Sequence, residues 1–134
     1  MTVARFWRDI PSRYNLYGTR CDSCDKVYFP ARHICPGCRR SSIGRMQRHR
    51  LSGKGRVHSF SVVHDAPPHM SSLKPYAVAI VEMDEGVKVT GQLVDVDIGE
   101  IDIGMGVEAV LRKIGEEGQD GIIHYGFKFA PRLD

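Results

Sequence analysis

At 134 residues, 42% of them hydrophobic and 26% charged, the chain has the composition of an ordinary globular protein, with length for one respectable core or one small core beside a metal-stapled module. Its longest uncharged apolar stretch, residues 75–81, is far too short to span a bilayer, and no apolar h-region opens the sequence, so the expectation is a cytoplasmic protein with no membrane partner. The net charge of +3 hides an asymmetry: residues 1–50 hold eleven basic and three acidic residues, residues 51–134 eight basic and thirteen acidic, which predicts different partners for the two parts.

Residues 1–17 form the first segment. Val3, Phe6, Trp7 and Ile10 recur at helical spacing, predicting a short amphipathic helix that Pro11 interrupts. Ile10 precedes proline and is biased away from the helical region, while Ser12 is placed to cap a second short turn carrying Tyr14 and Leu16. An arm of this size has too little core to fold alone. Phe6, Trp7, Tyr14 and Tyr17 are therefore candidate contacts to the rest of the chain or to a partner.

Residues 18–47 hold all four cysteines of the chain. Cys21, Cys24, Cys35 and Cys38 stand as two C-x-x-C pairs separated by ten residues. Each pair turns two thiolates toward one side of a metal, and the intervening hairpin returns the second pair, so the spacing predicts one tetrahedral zinc with a closed, structural coordination sphere. Two disulfides are the alternative, but vicinal pairs are poor staples for a secreted scaffold. Residues 26–30 read as a strand leaving the first cysteine turn, and Cys35-Pro36-Gly37-Cys38 as a second tight turn. So small a ribbon carries few apolar residues, and metal binding is expected to supply most of its folding free energy, on the order of 10 kcal/mol.

Residues 48–134 change to a period of two. Strands are expected at residues 56–64, 76–83, 87–94, 107–114 and 122–129, the second and third forming a hairpin across Asp84-Glu85-Gly86. Ile123, Tyr125, Phe127 and Phe129 share one face of the last strand. Five short strands suggest a small closed barrel, with the OB-fold as the leading candidate and an SH3-like barrel also compatible with the count. The fold class expected is thus mainly β: a short helical arm, a rubredoxin-like zinc ribbon and a five-stranded OB-fold barrel.

No nucleophile constellation is visible once the cysteines are assigned to metal. His64 and His69 lie in a long loop, residues 64–75, and without a second catalytic group at recognisable spacing they read as surface residues. That loop joins the first two barrel strands, and its prolines, Met70 and Leu73 suit a contact surface. Arg39, Arg40, Arg45, Arg48 and Arg50, with His49, form a basic run that raises nucleic acid as an alternative partner. Against a polyanion stand Asp95, Asp97, Glu100, Asp102, Glu116, Glu117 and Asp120 on the barrel part, so a compact anion suits the basic patch better than a strand of nucleic acid.

The motifs converge on one family. Phe6-Trp7, Cys21-Asp22-Ser23-Cys24, Tyr28-Phe29-Pro30-Ala31-Arg32, Cys35-Pro36-Gly37-Cys38, residues 51–57 (LSGKGRV) and residues 79–86 (AIVEMDEG) together resemble the zinc-ribbon OB-fold proteins called DUF35, over nearly the whole chain. The resemblance implies a non-catalytic subunit that accompanies thiolase-fold enzymes. In its archaeal form it bridges acetoacetyl-CoA thiolase and hydroxymethylglutaryl-CoA synthase in the mevalonate pathway; other relatives support thiolase-like aldolases or hydratases. It further implies that ribbon and arm meet the enzymes and that the OB portion lies near bound CoA. Candidate CoA contacts are Arg32 beside Phe29, and Arg13 with Tyr14, because a guanidinium forks onto phosphate while a ring covers adenine. The sequence departs from the family where glycine usually follows each second cysteine: here stand Asp25 and Arg39, at positions expected to need a positive backbone angle. Ala31 stands where a second proline is common.

Overall fold

Strand-forming stretches rich in valine and isoleucine alternate with glycine-bearing turns, and in the computed structural model they close a barrel. The structure describes residues 3–8, 10–116 and 123–132; the side chains of Val3, Phe6, Pro11, Ser12, Arg13, His69, Gly115 and Glu116 fall outside that description.

Two short helices come first, α1 (Val3–Arg8) and α2 (Ile10–Asn15). Ile10 opens α2 with Pro11 in its first turn, which corrects the expectation that Ile10 leaves the helical region. A first-turn proline lacks only an N–H that would have no intrahelical partner, and its fixed φ suits the helix. Tyr17 does not extend the helical segment but starts β1.

Three strands then form a small antiparallel sheet in the order β2-β1-β3: β1 (Tyr17–Cys21), β2 (Val27–Tyr28) and β3 (Met46–Arg50). β1 pairs with β3 along its whole length, from Tyr17↔Arg50 to Cys21↔Met46, and with β2 at Thr19↔Tyr28 and Arg20↔Val27. Gly18 is required at this crossing, since a Cβ there would collide with the carbonyl oxygen of Tyr28.

The second sheet is a closed barrel of β4 (Lys54–Val63), β5 (Tyr76–Met83), β6 (Lys88–Leu93), β7 (Gly106–Glu116) and β8 (Ile123–Pro131), ordered β4-β5-β6-β8-β7. Antiparallel ladders join β4 to β5, β5 to β6, β7 to β8 and β4 to β7, while β6 meets β8 in parallel at Leu93↔Phe129. This is the Greek-key order of an OB-fold, as expected. The loop after β4 carries a 3-10 turn, Pro68–Leu73.

Inward residues of all five strands build the core, with Val57, Val81, Val107 and Phe129 at most 1% exposed. Leu16 and Leu51 join the same cluster, and the Leu51 amide donates to the Leu16 carbonyl at 3.0 Å, tying the Tyr17–Arg50 end of the first sheet to the barrel. Of the four residues expected on one face of β8, Phe127 and Phe129 reach the core, while Ile123 and Tyr125 remain exposed. Their part of β8 precedes the one position where β6 pairs with it.

Candidate metal centre

The zinc expectation rests on two turns that the backbone builds alike. The amide of Asp25 donates to the Cys21 carbonyl at 2.7 Å, and that of Arg39 to the Cys35 carbonyl at 2.8 Å. The residue after each second cysteine takes the left-handed conformation, Asp25 with φ 57° and Arg39 with φ 52°. The departures from glycine therefore fall where glycine would be at ease.

The two turns face one another, and the four Sγ atoms lie within 4.8 Å of each other. Cys21 and Cys38 are 3.8 Å apart and Cys24 and Cys35 3.6 Å, with all four thiols free. Four sulfurs at about 2.3 Å from a tetrahedral zinc stand about 3.8 Å apart, so this donor set fits the ion. Bound there, Zn2+ would tie the two turns together with a fixed charge, and four cysteines would leave it no open coordination position.

Neighbouring groups prepare the sulfurs unequally. The Tyr28 hydroxyl lies 3.2 Å from Cys35 Sγ. It draws the Cys35 thiol down to about 6, with the amides of Cys38 and Gly37 assisting against the effect of burial. Tyr28 is itself pushed up to about 12, chiefly because it donates to that sulfur. Cys38, sharing hydrogen with Cys24 and partly buried, is raised to about 12. Such a cluster holds protons that a dication displaces. Ser42, fully buried in the 3-10 turn Arg39–Ser42, accepts the Cys35 amide at 2.9 Å and donates to the Arg39 carbonyl at 2.6 Å. Sequence reasoning passed over both Tyr28 as a sulfur partner and Ser42; the only signal was their closeness to the cysteine pairs.

The other predicted site residues are dispersed. Arg32 reaches over the ring of Tyr28 at 5.4 Å, not over Phe29, and its amide donates to Thr19 at 2.9 Å. Phe29 instead packs edge-on against Phe127, ring centroids 5.7 Å apart, joining the first sheet to the barrel core. Arg32 also lines a groove of about 420 Å³ with His33, Met46 and two exposed isoleucines, Ile34 and Ile43, which sequence reasoning did not single out. Tyr14 stacks edge-on against Tyr125 at 6.4 Å. Tyr17 is covered by the Arg48 guanidinium at 4.1 Å. Trp7 is 64% exposed. Phe6 and Arg13 were expected to touch partner and CoA respectively, and their side chains lie outside the described residues. Among the described residues no helix is long and apolar enough to cross a membrane.

Comparison with known proteins agrees with this architecture. Residues 8–44 match the family model described as ChsH2, rubredoxin-like zinc ribbon domain, and residues 48–112 that of the ChsH2 C-terminal OB-fold domain. The chain is 52% identical over 130 residues to a DUF35 domain-containing scaffold protein of Methanothermobacter thermautotrophicus, covering 97% of this chain and 96% of that one. It is 33% identical over 102 residues to a probable enoyl-CoA hydratase alpha subunit of Thermomonospora curvata, covering 76% of this chain and 31% of the relative. The solved structure of an Ltp2-ChsH2(DUF35) aldolase superposes with a TM-score of 0.74 at 27% identity, covering 97% of this chain and 94% of that one.

Proposed function

The chain belongs to the DUF35 family of zinc-ribbon OB-fold proteins, and from that membership we propose that it is a non-catalytic scaffold subunit for enzymes acting on acyl-CoA thioesters. In this reading it bridges acetoacetyl-CoA thiolase and hydroxymethylglutaryl-CoA synthase, so that acetoacetyl-CoA passes directly between them. The observation that carries the scaffold role is the likeness to the Methanothermobacter scaffold protein, which runs the length of both chains. The four-cysteine centre agrees with it, since a closed zinc holds shape and offers no position to a substrate. A bridge acts by raising the effective concentration of an intermediate at the second active site, which needs surfaces and no catalytic group. Exposed Trp7, Ile34 and Ile43 supply apolar surface of the kind such contacts use. Arg32, on the rim of the ribbon groove and stacked on Tyr28, is the side chain we assign to a CoA phosphate.

A second reading keeps the scaffold role and changes the client to a hydratase or an aldolase, favoured by the names of two of the relatives. A nuclease-treated pull-down at moderate salt, with co-purifying proteins identified by mass spectrometry, separates the two. A thiolase and a hydroxymethylglutaryl-CoA synthase in fixed proportion support the first. A hydratase or aldolase replaces it with the second, and ribosomal or transcription proteins overturn both.

A further inference from the structure

β6 and β8 are neighbours that pair only at Leu93↔Phe129, so the first residues of each run side by side without a ladder. A cavity of about 240 Å³ opens along this seam, lined by Thr90, Gln92, Ile114, Gly126, Phe127 and Lys128. Lys128 and Gly126 are two residues apart and share one face of β8, so the missing side chain of Gly126 leaves room beside the lysine. Lys128 is only 7% exposed, and no acidic side chain among the described residues pairs with it. The nearby cation, Arg112, is engaged with Asp95 at 2.7 Å. Most of the lysine is covered while its ammonium keeps solvent contact, so an anion entering the cavity can reach it. Burial first, and then the Arg112 charge, push the Lys128 amine below the usual lysine range.

We propose that this seam binds a small aliphatic carboxylate, its carboxylate group on Lys128 with Thr90 and Gln92 as hydrogen-bonding neighbours, and its alkyl chain against Ile114 and Phe127. The size suits a small ligand, since the cavity lies below the roughly 300–1,000 Å³ of pockets that hold drug-sized molecules and cofactors. The charge limits it as well. One lysine with no acidic partner among the described residues matches a monoanion, since Arg112 is already paired, and the apolar wall suits a short chain better than inorganic phosphate does.

The test is a 15N-HSQC titration of the zinc-loaded full chain with sodium butyrate, against sodium chloride and sodium phosphate at matched ionic strength. Saturable butyrate shifts centred on the amides of Thr90, Gln92, Gly126 and Lys128 are expected. Lys128→Met should weaken them at least about tenfold, the loss of one charge-assisted hydrogen bond. Ile114→Asp, at an exposed position where folding is not at stake, places a carboxylate at the seam and should abolish the shifts; it decides the matter if Lys128→Met does not fold. Shifts no different from chloride, tighter binding of phosphate at the same amides, or unchanged butyrate binding in the folded variants would overturn the proposal.

Discussion

The Tyr28 hydroxyl stands 3.2 Å from Cys35 Sγ, a contact between the short second strand and the buried cysteine of the second turn. In the metal-free ribbon it favours the Cys35 thiolate, drawn from 9 to about 6, so there that contribution to folding is complete above pH 9 and is lost as the pH falls through about 6. Tyr28→Phe removes the donor and lets the Cys35 thiol rise. Protons then compete with zinc at higher pH, and the midpoint for acid release of zinc, followed with a chromogenic chelator, should shift upward. Zinc affinity at pH 7 should drop about tenfold, as for other hydrogen bonds behind metal ligands. An unchanged release curve would show the contact to be idle.

Chelation of zinc, or Cys35→Ser, should melt the first sheet and spare the barrel. Structural zinc sites contribute on the order of 10 kcal/mol, more than β1 to β3 hold in packing of their own. Hydrogen exchange should show protection lost at β1 and β3 and retained at Val81, Val89 and Val107. Loss at all of them together would mean that the Phe29–Phe127 and Leu16–Leu51 contacts fuse both sheets into one cooperative unit.

Arg39 holds a φ of 52° that a residue with a Cβ adopts at a cost of about 1–2 kcal/mol. Arg39→Gly should therefore stabilise the zinc-loaded protein by about 1 kcal/mol, read as a higher denaturation midpoint. Asp25→Gly should gain less, because aspartate tolerates this region and its carboxylate accepts from Arg20 at 3.1 Å. Equal gains would remove that distinction.

Gly91→Ala probes the barrel. A Cβ there would sit 2.7 Å from two ring carbons of Phe129, which is fully buried. The ring must shift to admit it, so a loss of about 1–3 kcal/mol is expected in urea unfolding. Gly86→Ala, where nothing lies within 4 Å but φ is 87°, separates backbone strain from this collision.

Arg32→Glu tests the CoA assignment. CoA retained by the assembled complex should fall at least about tenfold, the size of a lost charge-assisted contact, while zinc content stays at one per chain. Unaltered CoA retention would remove Arg32 from the site.

Much of the barrel was legible because its five strands carry their own alternation and turn residues, and β-branched residues state a strand locally. β1 and β3 were not. Thr19, Arg20 and His49 are polar and half-buried, Gln47, Arg48 and Arg50 polar and exposed, and these segments become strands only because each pairs with the other. The basic run read as a candidate anion surface turns out to include that third strand, with Arg48 spent on Tyr17. Phe29 was read as a ring for a ligand from its place beside Arg32; the fold assigns it to Phe127 and puts Tyr28 beneath the guanidinium instead.

The four candidate metal ligands were readable from the residues alone, because C-x-x-C turns form from neighbouring residues and their spacing carries the chemistry. The barrel class was readable for a similar reason, since period-two patterning needs no partner to be recognised. Tertiary structure alone decided which hydroxyl meets Cys35, which serine holds its amide, which aromatic joins the two sheets, and that an outward-facing lysine on β8 is covered. Each of these depends on residues brought together by strand pairing or by turns folding back on the sheet, and the direction and distance of such a contact are fixed only when the chain closes.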